Sequence, residues 1–227
     1  MRLYSYCLRY DDGAAPNPYW GICTLAICKP VIRRTANVGD WVVGLGSSGS
    51  PIGDISKCVV YAMKITKKLS MSEYDRFCQQ HYPDKIPDWQ SSDFKRKVGD
   101  CIYDFYDSNQ SPNLRGSVHK EGNRETDLKG KYVLLSEHFF YFGDQPIWLK
   151  EKLHPIIHSN QGHKSSANDS YIDDFVSWLE GSEYQPNILY GEPQLKNQIE
   201  NVRDCRGICS AQDREDDKDE LRLPCAE

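Results

Sequence analysis

The chain has 227 residues, 39% apolar and 27% charged, with a formal net charge of −5. That length suits one domain, or one domain with a tail, and can bury a core without disulfide staples. The negative balance excludes a strongly basic nucleic-acid coat over the whole chain, and no apolar run is long enough to span a membrane. The polar start MRLYSYCLRYDD is unlike a secretory signal, so a cytoplasmic protein is expected.

In chain order, residues 2–10 (RLYSYCLRY) read as a Tyr-rich strand, followed by a dense Gly/Pro/Asp loop over 11–18. Residues 22–28 (ICTLAIC) form a second strand that Lys29-Pro30 stops. Val38-Gly39-Asp40 turns into a third, WVVGL, over 41–45. A small-residue loop (46–54) leads to a fourth strand over about 58–66. Short connections predict that these four strands are consecutive members of one sheet or barrel. Ser70 and Glu73 have capping-box spacing and open a helix, MSEYDRFCQQH. Residues 82–131 are poor in aliphatics and read as an insert of long loops, with one short strand at Cys101–Tyr106. Strands return at Tyr132–Leu135 and Phe139–Phe142. A short helix is expected over Pro146–His158 and a firmer one over Tyr171–Glu180, where Ile172, Phe175, Val176 and Leu179 have helical spacing. A last helix is expected over Gln194–Arg203. The predicted fold class is α+β: a strand-rich mixed sheet or small barrel with flanking helices. The expected domain runs 1–203, and an acidic flexible tail takes 204–227.

The charge is uneven. Residues 204–227 hold eight acids and four bases, so the other residues sum to −1; within them, residues 29–69 sum to +5. That stretch, with Lys29, Arg33 and Arg34, reads as a phosphate-facing groove or as a solvated surface. Nine cysteines, an odd number, argue against a disulfide framework. Cys7, Cys23, Cys28 and Cys58 sit in apolar runs and read as small buried hydrophobes. No cysteine lies beside a histidine in an evident loop, so no thiol nucleophile is assigned. Gly44, Gly46 and Gly49 spell G-x-G-x-x-G, but a strand, not a long helix, follows, which excludes a Rossmann unit. The segment is a Gly/Ser loop able to approach a phosphate or base, or a plain hairpin connection. His154, His158 and His163 lack a completing ligand, so no metal site is assigned. HFFYFG over 138–143 is an aromatic core strand or a base-stacking surface.

Several stretches resemble a known family. They are Asp12-Gly13 with Ala15-Pro16-Asn17-Pro18, Leu25-Ala26-Ile27-Cys28-Lys29-Pro30, Val38 to Gly44, Tyr61-Ala62-Met63, Ser136 to Phe139 with Tyr141-Phe142-Gly143, and Gly162-His163-Lys164-Ser165. Spread over roughly 1–180, they are similar to the nucleotide modification associated domain family, second type, found in bacteria and phages. The resemblance implies a role tied to modified DNA bases. More remotely, Gly39 to Gly44 is similar to the Gly-Asp turn of PUA-like domains of the ASCH and EVE kind, barrels that bind nucleic acid. Three functions follow as expectations. A binding module for DNA or a nucleotide would use Trp41, Tyr141 or Phe142 to stack and Asn17, Ser47, Ser48 or His138 to read the base edge. Lys29, Arg33, Arg34 and Lys164 would meet phosphates. An enzyme would use His138 or His163 as acid/base, with Asp11, Asp12 or Glu137 as the partner carboxylate. A protein-interaction role would use the acidic tail. No cofactor is implied.

Overall fold

The computed structural model describes residues 1–106, 111–158 and 162–198. Its elements are β1 (Leu3–Cys7), β2 (Cys23–Leu25), α1 (Pro30–Thr35), β3 (Trp41–Leu45), β4 (Cys58–Lys64), β5 (Lys67–Ser70), α2 (Met71–His81), α3 (Phe94–Lys97), β6 (Tyr103–Asp104), β7 (Asn113–Leu114), α4 (Arg124–Lys129), β8 (Tyr132–Ser136), β9 (His138–Tyr141), β10 (Ile147–Trp148), β11 (His163–Lys164), α5 (Ile172–Glu180) and β12 (Ile188–Leu189). Seven strands make one mixed sheet in the order β11-β1-β3-β4-β9-β12, with β10 paired to the start of β4. The pairs β1–β3 and β9–β12 are parallel; β11–β1, β3–β4 and β4–β9 are antiparallel. The fold is α+β as expected, and the described strands form an open sheet with no closed barrel.

Both faces of the large sheet are covered. Tyr4, Tyr6, Val42, Val60, Met63 and Tyr141 pack on one side with Leu25, Ile32 and Leu134. Leu3, Trp41, Val43, Phe140 and Phe142 pack on the other with Leu153, Ile172, Phe175 and Leu179. Two-sided burial is why WVVGL and CVVYAMK read as continuous apolar runs rather than alternating ones. The small sheet, β2-β8-β5, is a separate hydrogen-bonded sheet packed on the large one through Leu25 and Leu134. The expectation of four consecutive strands in one sheet is therefore corrected: β2 pairs with β8, Cys23 opposite Ser136 and Leu25 opposite Leu134. Lys29-Pro30 does stop the strand, but Pro30 then opens α1, its fixed φ being suited to a first helical position. The capping box at α2 forms: Ser70 Oγ accepts from Glu73 N–H (3.2 Å) and Glu73 Oε2 accepts from Ser70 N–H (2.7 Å). In place of a helix over 146–158 there are β10 and a 3-10 turn, Glu151–Ile156, with Pro155 inside it. Lys196–Gln198 forms a 3-10 turn; the rest of the expected last helix and the acidic tail lie outside the described residues.

The polar insert is held to the domain by buried polar bonds. Lys85 is fully buried, and its Nζ donates to Asn17 O (2.9 Å), Asn17 Oδ1 (2.6 Å), Ile22 O (2.8 Å) and Thr24 Oγ1 (2.9 Å). Asp100, also buried, accepts from Thr24 Oγ1 (2.5 Å) and Tyr74 Oη (2.6 Å). Arg115 pairs with Asp75 at 2.8 Å and donates to the carbonyls of Cys101 and Tyr103. Val98, Cys101, Ile102, Tyr103 and Val118 complete a second core with Met71, Tyr74, Val133 and Leu135. The segment is low in aliphatics because hydrogen bonds do much of its anchoring. Lys85→Met should cost about 3–5 kcal/mol, since it strands several buried acceptors and the Asp100 carboxylate. Urea unfolding of the variant measures this, and an unchanged midpoint would refute the anchoring role.

Candidate thiol site at the turn after β2

Two successive non-glycine residues after β2 hold left-handed backbone: Cys28 at φ 57° and Lys29 at φ 42°. Each such residue costs about 1–2 kcal/mol, so the turn persists only because its surroundings hold it. Arg33, fully buried in α1, does much of this. Its guanidinium donates to Cys28 O (2.8 Å), Ala26 O (2.5 Å), Tyr132 O (3.1 Å) and Asp127 O. Gly130 makes room for it, since a Cβ there would lie 2.1 Å from the guanidinium.

Asp127, in α4 at the end of the polar insert, meets the same turn. One carboxylate oxygen accepts from Cys28 N–H at 3.0 Å. The other lies 2.6 Å from His119 Nδ1 and accepts from Tyr103 Oη at 2.9 Å. The far nitrogen of the ring, His119 Nε2, lies 3.5 Å from Cys28 Sγ. Carboxylate, imidazole and thiol thus stand in line. His119 and Asp127 are 3% and 1% exposed, whereas Cys28 is half-buried and within reach of solvent. Burial works against charge on His119, but the facing Asp127 carboxylate and Cys28 outweigh it and hold the imidazole well above its usual range. Burial likewise pushes Asp127 up, but His119, Arg33 and the Cys28 N–H outweigh it, and its carboxyl sits below the ordinary range. Among the described residues, no three His, Cys, Asp or Glu side chains are placed to hold a metal ion. Here the ring separates its two neighbours, one nitrogen to each, instead of converging with them on a point.

Tyr6, on the large sheet, lies near the thiol and begins a run of polar side chains. Tyr6 Oη and Tyr61 Oη are 2.9 Å apart, and Tyr141 Oη donates to Asp11 Oδ2 at 2.6 Å. Burial holds the Tyr6 hydroxyl well above its usual range, and Tyr61, Cys28 and Asp11 add to the effect. Gly44 lets the Tyr61 ring lie against β3: a Cβ there would be 2.4 Å from it. Gly46 is held bare by Ile55 O, 2.2 Å from where its Cβ would stand, so the first two glycines of G-x-G-x-x-G serve packing. Burial raises Asp12, which the Ala14 N–H and the charge of His119 lower. Burial also raises Asp11; Tyr141 and Gly13 N–H oppose it, Asp12 and Asp144 reinforce it, and the carboxyl titrates at about 7.

The residues singled out from sequence fall in several places. Asp11 and Asp12 lie in the loop beside His119 and Tyr6. His138, on β9, pairs with Glu180 Oε1 at 3.0 Å and stands edge-on to Trp41, while Glu137 is exposed. His163, on β11, packs near Tyr4. β9 and β11 are four strand spacings apart, about 19 Å along the sheet, so the two histidines are not brought together. Trp41, Tyr141 and Phe142 are core side chains, and Phe142 stacks on Tyr190 at 5.6 Å. Asn17 is fully buried and donates to Gly13 O and Val98 O. Arg33 is buried, and Arg34 donates to Lys129 O at 3.0 Å. Lys164 donates to Pro155 O and Ile157 O. Ser47 is half-buried and Ser48 exposed in the Gly/Ser turn, and Lys29 is 4% exposed. Nothing in the sequence of the insert marks His119 or Asp127. The reading of Cys28 as a small buried hydrophobe is corrected by its strained turn and its His119 neighbour.

The Asp11 titration has a sign that can be checked. The unfolded carboxyl ionises near pH 4, so between about 4 and about 7 the folded state keeps a proton that the unfolded state has lost. Stability therefore falls as pH rises through that window. Asp11→Asn should remove this slope, so wild type should lose stability relative to the variant between about pH 4 and about pH 7, with the difference levelling off above that. Urea unfolding of both proteins at each pH measures the difference, and a pH-independent gap would refute the assignment.

No curated protein and no solved structure matches this chain. Its sequence matches the nucleotide modification associated domain 2 model over residues 1–201, which spans the strained turn, the insert and all three members of the Cys28–His119–Asp127 line. The chain belongs to the nucleotide modification associated domain 2 family.

Proposed function

We propose that the protein is an enzyme of nucleotide modification, acting on a base or nucleotide through Cys28 as nucleophile. The observation that carries this is the Asp127–His119–Cys28 line at 2.6 and 3.5 Å, ending on a half-buried thiol in a strained turn. Thiol nucleophiles need a partner that favours the thiolate and a third group that orients the partner. His119 is the partner, held charged by Asp127, and Asp127 fixes its tautomer and ring direction. The Cys28 sulfur donates an electron pair to an electrophilic carbon of the substrate, and an S–C bond forms. The bond from that carbon to the departing group breaks, and the group leaves with the electron pair and the proton from His119 Nε2. Neutral His119 then takes a proton from the incoming water or alcohol, whose oxygen displaces the sulfur. The nucleotide part of the reading rests on the family; the thiol chemistry rests on the site.

A binding module without chemistry, the alternative reading, has less support here. The three aromatic side chains best suited to stack a base, Trp41, Tyr141 and Phe142, are core residues.

Alkylation of Cys28 by iodoacetamide, followed by peptide mass, tests the proposal. Wild-type Cys28 should react below the pH range of an ordinary thiol. His119→Asn should return it to that range, with a rate about 10–100-fold lower near pH 6.5, where an unperturbed thiol of pKa about 8.5 is about 1% ionised. Equal profiles for the two proteins would sink the nucleophile assignment.

A further inference from the structure

The connectivity of the large sheet brings several connections to one of its ends. β1 and β3 run in parallel and finish there, with Cys7 opposite Leu45. β4 begins there, with Val59 opposite Leu45, and β10 ends there, with Trp148 opposite Cys58. β10 continues the lane of β9, since β3 holds the other side of β4. From β1 to β10 is therefore three strand spacings, about 14 Å. The chain places Arg9 just beyond β1, the Gly/Ser turn just beyond β3, Lys57 just before β4 and Lys150 just beyond β10. Backbone bonds fix these junctions: Leu8 N–H donates to Leu45 O (2.7 Å), Gly46 N–H to Cys58 O (2.9 Å) and Leu149 N–H to Lys57 O (2.9 Å).

Trp148 is 70% exposed, whereas the other four tryptophans are buried or half-buried. Arg9, Lys57 and Lys150 are exposed, and none of the three forms a salt bridge among the described residues. Arg9 lies over the Tyr10 ring, 5.2 Å from its centroid. Lys57 has Asp54 near it, whose carboxylate accepts from Ser56 N–H, and Glu151 is a second exposed acid on the rim. An exposed indole by itself would mean little; between unpaired cations it has the make-up of a stacking platform for bases. The turn that carries Cys28 sits at the same end, since Lys29 Nζ is 4.8 Å from the ring of Tyr6, the next-to-last residue of β1.

We infer that this end of the sheet is a docking surface for a single nucleic-acid strand, with a base stacked on Trp148 and phosphates met by Lys57, Lys150 and Arg9. Single strands present free base faces, which a duplex keeps stacked inside. The inference deepens the thiol reading: the nucleotide at Cys28 is then part of a chain, a few nucleotides from the base on Trp148. It rests on that reading for its catalytic meaning, though not for binding.

The test uses the full chain carrying Cys28→Ser and labelled oligothymidylate of about 12 nucleotides, followed by anisotropy and by indole fluorescence. Oligouridylate, the duplex with oligodeoxyadenylate and thymidine 5′-monophosphate compete. The strand should quench the indole and bind at least about tenfold more tightly than the duplex or the monophosphate. Trp148→Ala should remove the quench and weaken the strand about tenfold, with Trp148→Phe restoring part of the affinity. Lys57→Gln with Lys150→Gln should lower the slope of log affinity against log salt by about 1.4. Preference for oligothymidylate identifies DNA as the source of the strand, and preference for oligouridylate identifies RNA. Unchanged affinity in Trp148→Ala, or a monophosphate that binds as tightly as the strand, would overturn the inference. So would a Trp148→Ala protein that no longer folds, or a wild-type dimer that this variant makes monomeric in sedimentation, since the indole would then be core or cover a second copy. Ordinary alkylation of Cys28 in wild type, with strand binding lost in Trp148→Ala, would overturn the nucleophile and leave the docking surface standing; reactive Cys28 without strand binding would do the reverse.

Discussion

The site depends on one carboxylate. Asp127 accepts from the Cys28 N–H, faces His119 Nδ1 and accepts from the Tyr103 hydroxyl, while its own carbonyl accepts from Arg33. It therefore joins three pieces of chain: the strained turn after β2, the middle of the polar insert, and α1. A buried carboxylate is stable only when its lone pairs are filled, and here the groups that fill them are the ones the chemistry would use. The same contacts that remove the desolvation problem of Asp127 orient the histidine and pin the thiol's backbone.

The remainder of the fold positions this junction. The large sheet offers a rigid face with Tyr6, Tyr61 and Tyr141 on it, and the second core under β2-β8-β5 holds the insert in place. Arg33 and Lys85 are internal clamps, each with its charge or donors met by carbonyls and side-chain oxygens.

Much of the scaffold was legible in the sequence because its signals are local. WVVGL gave β3 at the same bounds, Ser70 and Glu73 marked the start of α2, and Ile172, Phe175 and Leu179 marked the buried face of α5. Low aliphatic content reads as loops, whereas Lys85, Asp100 and Arg115 order the insert through bonds to distant partners. The thiol site was half visible. Asp11 and Asp12 were singled out, and Cys28 lay inside a stretch with family resemblance. His119 is 91 residues from Cys28 and Asp127 is 99, and no spacing rule links residues so far apart.

The sequence by itself determined the α+β class, the principal strands and helices, and the family, because these rest on periodicity, caps and short motifs within a few residues of one another. Only the tertiary structure decided that a cysteine in an apolar run faces a histidine from a polar insert, and that Arg33 is a clamp and not a phosphate contact in this arrangement. The reason is physical: burial and pairing of polar groups are properties of segments brought together across the whole chain, and each is set by partners that local sequence does not contain.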